Sequence, residues 1–91
     1  MARRRIAKAR PGDLVEVSWL DICENPVGDP QEAALARRVS YGLFLERRKD
    51  CGVDAIVTTT TRDQFGSHQS GWCIYPVGCI VAVQVVRRAK A

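Results

Sequence analysis

A chain of 91 residues, 46% of them hydrophobic and 26% charged, has the composition of one small globular domain and not of a disordered segment. A domain of this size buries about 60–65% of its unfolded surface, which leaves too little interior for a multi-domain enzyme with a deep active site. No apolar run approaches the roughly 20 residues of a membrane-spanning helix, and none follows the basic opening. We therefore expect neither a membrane span nor a secretory signal.

The net charge of +4 is distributed unevenly along the chain. Residues 1–10 contain five basic residues and no acidic one, and residues 87–91 contain three basic residues and no acidic one. Residues 11–86 therefore hold six basic residues against ten acidic ones, a net charge of −4. Because basic ends neutralise phosphates, nucleic acid is one expected partner. A solubilising role and contact with the acidic body of a neighbouring subunit are the alternatives.

The chain begins with a basic arm, residues 1–10, which we expect to be flexible or partly helical, and continues as one domain over residues 11–91. Apolar residues that alternate with polar ones over 14–22 predict the first strand. In the connection that follows, Asp29 is a good helix cap, Pro30 suits the first helical position and an alanine-rich run follows. This pattern predicts one short helix that ends near residue 38.

Four further segments have the composition of strands, over residues 39–46, 53–60, 72–75 and 79–86. Gly42 predicts a bend or close packing by another backbone, and residues 47–52 predict a hairpin turn. The last strand is apolar on both faces, so we expect a second subunit or the arm to cover its outer side. Five short strands, a bent second strand and a tight turn before the last one predict a small closed all-β barrel.

The candidate binding residues are basic or aromatic. For nucleic acid, the candidates lie in the arm and in a cluster at the predicted hairpin tip: Arg3, Arg4, Arg5, Lys8, Arg10, Arg47, Arg48 and Lys49. The alternative for the hairpin cluster is a solvated turn, since Glu46 and Asp50 cancel two of its three charges. Phe44 and Trp72 are candidates for an interface or for stacking on bases, although a small domain also needs its large aromatic residues in the core.

Cysteine and histidine spacing argues against a metal site. The only histidine is His68, and no C-x-x-C pair occurs among the four cysteines, Cys23, Cys51, Cys73 and Cys79. We expect no metal and no cofactor, and reduced cysteines that act as small apolar residues in a cytoplasmic protein. We also expect no enzyme activity, because the nearest approach to catalytic machinery is a loosely spaced polar set: Asp21, Asp63, Ser67 and His68.

Four segments resemble a group of short phage proteins: residues 11–21, 41–45, 56–58 and 75–83. These proteins, found in cyanophages and related marine sequences, are Sm-like and have a small SH3-type barrel. The resemblance covers roughly residues 11–86 and implies a five-stranded barrel that assembles into a ring, in the cytoplasm of an infected host cell. Sm proteins proper bind uridine-rich single-stranded RNA, but the loop motifs that form their pocket are not present at residues 46–52 and 75–79.

The sequence therefore predicts a non-enzymatic, ring-forming binding module that contacts nucleic acid, RNA in the first instance, through its arm and its hairpin cluster. One alternative is a ring with a purely structural or protein-interaction role. The other is a protein that sequesters a small nucleotide at subunit interfaces with four side chains: Arg47, Arg48, Arg62 and His68.

Overall fold

Strands dominate the described part of the chain, which is residues 5–23 and 26–90 of a computed structural model. The six strands are β1 (Arg5–Ile6), β2 (Leu14–Asp21), β3 (Ala36–Asp50), β4 (Val53–Thr60), β5 (Ser70–Pro76) and β6 (Ile80–Arg87). Two 3₁₀ turns complete the regular structure, Pro30–Glu32 and Val77–Cys79. The fold is all-β, and the residues that the structure describes include no α-helix.

The strands form one mixed sheet in the order β1-β6-β2-β3-β4-β5. β1 runs parallel to β6, and the other neighbouring pairs are antiparallel. The prediction of a closed five-stranded barrel is wrong in both strand number and closure. The 3₁₀ turn over 77–79 joins β5 to β6, but the free edge of β6 pairs with β1 instead of with β5. The sheet therefore keeps two edges, β1 and β5.

β3 belongs to both halves of the sheet. Its residues 36–43 pair with β2, and its residues 44–50 pair with β4. The exchange of partners takes place beside Gly42, where a Cβ atom would lie 2.0 Å from the carbonyl oxygen of Thr59. The prediction that another backbone approaches this glycine is confirmed. β3 is also longer than expected at both ends, so the predicted hairpin turn shrinks from 47–52 to residues 51 and 52.

The short helix predicted in the first connection is wrong beyond its first turn. Asp29 does act as a cap, since its Oδ1 accepts the backbone N–H of Gln31 at 3.0 Å. The helical geometry nevertheless ends at Glu32, and Ala36 already pairs with Asp21 in the sheet. None of the turn residues is buried, so nothing in the fold compensates the cost of propagating an isolated helix.

The apolar core draws its buried residues from β2 to β6: Val15, Val17, Phe44, Ile56, Tyr75, Ile80 and Val83. Trp19 packs against this core and meets Tyr75 edge to face, with ring centroids 5.8 Å apart. Its indole Nε1 donates to the Ser40 hydroxyl at 3.0 Å. Phe44, a candidate for an interface or for stacking, is only 8% exposed, because it lies on the same face of β3 as the buried Gly42.

Candidate functional site

The N-terminal arm is docked along the sheet from Arg5 onward. Arg5 and Ile6 pair with the middle of β6, and the backbone N–H of Ala7 donates to the Val83 carbonyl at 3.0 Å. Ile6 and Ala9 pack against the core. The prediction of a flexible arm is therefore wrong for this part, because an unpaired edge of β6 offers backbone partners that an arm in water lacks. Arg3 and Arg4 lie outside the described residues.

Asp13 ties the two chain ends together. This fully buried carboxylate accepts the backbone N–H of Arg10 at 2.9 Å and that of Ala89 at 2.7 Å. It also forms an ion pair with Arg88, whose Nη1 lies 2.9 Å from Asp13 Oδ2. The hydrogen bond from Ala89, followed by that from Arg10, holds the pKa of Asp13 below its ordinary value of 3.8. The carboxylate is therefore charged and fully partnered at neutral pH.

The consequence is a concentration of positive charge where the two segments meet beside Asp13, while Arg5 lies further along the sheet, opposite Ala82 in the middle of β6. The guanidinium of Arg88 also donates to the Lys8 carbonyl at 3.1 Å, so the N-terminal and C-terminal segments lie side by side. Six basic residues come from these two segments: Arg5, Lys8, Arg10, Arg87, Arg88 and Lys90. We call them the basic ends. The one carboxylate that joins the segments is Asp13, which is itself enclosed.

A surface groove of about 450 Å³ lies at the basic ends. Its described lining combines three cationic side chains with small and polar neighbours: Gly12, Leu43, Gln69, Arg87, Arg88, Ala89 and Lys90. None of these lining residues carries a negative charge. Arginine and lysine in such a groove offer several N–H donors to an anion such as a phosphate.

The loop over residues 61–69 borders the groove through Gln69. Asp63 organises this loop, since its Oδ1 accepts the backbone N–H of Phe65 at 2.9 Å and that of Ser67 at 3.2 Å. The bond from Ser67, then that from Phe65, lowers the pKa of Asp63. Phe65 in turn presents its carbonyl to Arg87, whose Nη1 lies 3.4 Å away.

The basic cluster of β3 has a different electrostatic setting. Arg47 forms a two-point pair with Asp54, at 3.1 Å from Nε to Oδ1 and 2.7 Å from Nη2 to Oδ2. Arg48 lies 3.6 Å from Glu46 and 3.7 Å from Asp50. With Lys49, the cluster holds three basic and three acidic side chains, so it contributes no net charge. These pairs are about half exposed and individually weak.

The four residues considered for a nucleotide site are not brought together within one copy of the chain. Arg47 and Arg48 lie near the β3–β4 turn, where Arg47 pairs with Ile56. Arg62 and His68 belong to the loop after β4, and Arg62 already lies about 20 Å along the extended chain from Ile56. Both side chains in the loop are exposed. A site built from all four residues requires a second subunit.

Trp72 and Cys73 belong to β5, and Cys79 ends the 3₁₀ turn that follows it. Trp72 is 70% exposed, so it remains available for an interface or for stacking. Cys23 and Cys51 are exposed, whereas Cys73 and Cys79 are half-buried, and all four are free thiols. Within residues 5–23 and 26–90, His, Cys, Asp and Glu side chains form no cluster suited to a metal ion.

Sequence analysis did not select several residues that the structure places at this site: Asp13, Phe65, Gln69, Arg87, Arg88 and Lys90. The charge count at the two ends was a visible signal for the C-terminal three. The convergence of the ends was not visible, since Arg88 meets a carboxylate 75 residues away in sequence.

Comparison with known proteins adds no family assignment: no family model matches the chain, and no curated protein matches it. The described residues include no helix long and apolar enough to cross a membrane.

Proposed function

We propose that this protein is a non-enzymatic binding module that holds nucleic acid by its phosphates, with RNA as the first ligand to test, through the basic ends. The observation that carries the proposal is the convergence of both basic segments on Asp13, which accepts a backbone N–H from each of them. Like charges repel, so a fold that gathers them at one place forgoes stability unless an anion binds there. A phosphodiester backbone supplies such anions in a row.

The hairpin cluster has a smaller part in this proposal than the sequence suggested. Its net charge is zero, and a neutral cluster gives little long-range attraction for a polyanion. The basic ends combine six cationic side chains with one buried carboxylate. We therefore assign the contact with phosphates to the basic ends.

The resemblance to Sm-like phage proteins belongs to the same proposal, as does a place in the cytoplasm of an infected host cell. The five strands after β1, the close approach at Gly42 and the 3₁₀ turn before β6 support a relationship to the small SH3-type barrel, here in an open form. The proposal uses none of the Sm loop motifs, because the basic ends lie outside the segments that carry the resemblance.

Salt dependence of binding is the first test. If about four cationic side chains each contact a phosphate, affinity for a single-stranded oligonucleotide falls about 50-fold between 50 and 200 mM salt. Fluorescence anisotropy with a labelled oligo(U) measures this slope. Arg87→Gln with Lys90→Gln removes two of the contacts and is expected to reduce the fall to about 7-fold.

The matched control is Arg37→Gln with Arg38→Gln. It removes the same charge from two exposed side chains at the other end of the sheet, where Ala36 pairs with Asp21. The slope is expected to stay unchanged in this variant. An equal loss in both double variants, or a greater loss with Arg48→Gln and Lys49→Gln, would overturn the assignment to the basic ends.

Self-association is a second candidate function, and one independent observation favours it. Residues 64–86, which include β5 and nearly all of β6, contain no Asp, Glu, Lys or Arg. β5 is an edge strand, and natural proteins usually protect such edges with charges. An uncharged edge with an exposed Trp72 is suited to a second copy of the chain, whose +4 charge otherwise opposes association.

Native mass spectrometry tests this candidate and the ring expected from the resemblance. The wild type is expected to form a discrete oligomer, and Trp72→Lys is expected to shift it to the monomer, because a charged side chain disfavours edge pairing. Val39→Lys on β3 is the control, since Val39 is exposed but lies on an interior strand. A monomeric wild type at micromolar concentration would exclude this function.

A further inference from the structure

Phe65 is an exposed aromatic residue on an ordered loop. Its side chain is 71% exposed and takes no part in the core. The loop is nevertheless closed by its own hydrogen bonds: the backbone N–H of Gly66 donates to the Asp63 carbonyl at 3.2 Å, and that of Arg62 donates to the Ser67 carbonyl at 3.0 Å. The Asp63 carboxylate holds the Phe65 amide from inside the loop. The fold therefore fixes the backbone of Phe65 while leaving its ring in water.

The position of this loop adds a second observation. The Phe65 carbonyl accepts from Arg87, and Gln69 at the other end of the loop lines the same groove as Arg87 and Lys90. Phe65 is not part of the groove lining, but its backbone contact with Arg87 places an exposed aromatic residue at the border of a cationic groove, and proteins use this combination to hold single-stranded nucleic acid. The cations contact phosphates, and the ring offers a flat apolar face to an unpaired base.

We propose that Phe65 stacks on a base of a single-stranded nucleic acid whose phosphates lie in the groove of Arg87 and Lys90. This inference rests on the proposed function and specifies its ligand. In a duplex both faces of each base are already stacked, so no base face is available to the Phe65 ring. The module is therefore selective for single strands, and it tolerates many sequences because every base has a stacking face.

The decisive comparison uses two oligonucleotides of equal length and charge, oligo(U) and its abasic counterpart. Phe65→Ala is expected to weaken binding of oligo(U) about 5- to 150-fold, the range for loss of one stacked base, and to leave the abasic oligonucleotide unaffected. Phe65→Trp is expected to restore binding. Val39→Ala, which shortens another exposed apolar side chain on a distant strand, serves as the control and is expected to change neither affinity.

A spectroscopic measurement separates stacking from a general loss of structure. An oligonucleotide that carries 2-aminopurine is expected to change in fluorescence on binding to the wild type and to Phe65→Trp, but much less on binding to Phe65→Ala. The melting temperature of Phe65→Ala is expected to stay close to that of the wild type, because the ring is exposed.

These measurements distinguish failure of phosphate binding from failure of base stacking. If the wild type binds neither oligonucleotide in a salt-dependent way, the proposed function and the role of Phe65 both fall. If it binds oligo(U), abasic strand and duplex equally and Phe65→Ala changes nothing, phosphate binding stands and stacking is refuted. If Phe65→Ala loses both oligonucleotides equally, the loop shapes the groove and the ring does not stack.

Discussion

Replacing Asp13 by alanine separates two effects that act in opposite directions. The substitution removes a negative charge from the basic ends, so electrostatics alone predicts tighter binding of nucleic acid. It also removes the acceptor of two backbone N–H groups and of Arg88. If the carboxylate positions the basic ends, as we infer, the variant binds more weakly despite its higher positive charge. The sign of the change in affinity therefore tests the role of Asp13.

The effect on stability follows from the geometry of the three contacts. The backbone donors at 2.7 and 2.9 Å carry most of the effect, because they reach a fully buried carboxylate. The Arg88 side chain is 61% exposed, so its ion pair adds little. Loss of two charge-assisted hydrogen bonds lowers the melting temperature of a domain of this size by at least about 12 °C. Asp13→Asn keeps one acceptor oxygen and is expected to lose about half as much.

Thermal unfolding followed by circular dichroism measures this shift, and anisotropy at a temperature where both proteins are folded measures affinity. Asp29→Ala is the matched control, since Asp29 accepts a single backbone N–H at 3.0 Å in an exposed turn. Its melting temperature is expected to fall by less than about 5 °C. Tighter binding by Asp13→Ala, or a melting temperature equal to that of the control, would refute the positioning role.

The pH dependence provides a further check on the same carboxylate. Hydrogen bonds from Ala89 and then Arg10 lower the pKa of Asp13 in the folded protein below the 3.8 of the unfolded chain. Its stabilising contribution is therefore complete above pH 3.8 and is lost as the pH falls through the lower folded-state pKa. The difference in stability between the wild type and Asp13→Asn is expected to be constant from pH 5 to 8 and to shrink only below about pH 4.

Three further predictions concern the fold. Gly42→Ala places a Cβ atom 2.0 Å from the Thr59 carbonyl oxygen, and urea unfolding is expected to show a loss of more than about 3 kcal/mol or no cooperative transition. Ile56→Ala opens a cavity at a residue that is 1% exposed, and the same assay is expected to show a loss of about 2–5 kcal/mol with an unchanged slope. Burial raises the pKa of Tyr75 to about 12, so stability is expected to fall as the pH rises from 10 to 12, and Tyr75→Phe, followed by absorbance and circular dichroism, is expected to reduce this dependence.

Local sequence patterns predicted a strand well where its neighbouring strands in the sheet are also its neighbours in sequence. The third predicted strand, 53–60, has the observed bounds of β4, and the tight turn expected before the last strand is a 3₁₀ turn. Gly42 also marked its close contact in advance. In each case the signal for the local structure lies within a few positions. It is either a run of β-branched residues or a residue type with a narrow conformational or steric role.

The errors arose where long-range contacts override local preference. The alanine-rich segment after Asp29 favours a helix, but Ala36 gains a place opposite Asp21 in the sheet. The apolar pattern of the arm is too weak to predict a strand. Ile6 nevertheless lies opposite Val83, because β6 has a free edge. Phe44 is buried because the face of β3 that it shares with Gly42 packs against core residues from the other strands. None of these partners is visible from the segment itself.

The docked arm also decides which experiment on the basic ends can be interpreted. Deletion of residues 1–10 removes five basic residues, and it removes the pairing of β1 with β6 and the contacts of Ile6 and Ala9 with the core. It also removes the Arg10 amide that Asp13 binds. Loss of nucleic-acid binding after such a deletion therefore has two causes that the measurement does not separate. Charge-removing substitutions of exposed side chains, such as Lys8→Gln, keep the backbone pairing and change the charge, so they isolate the electrostatic contribution.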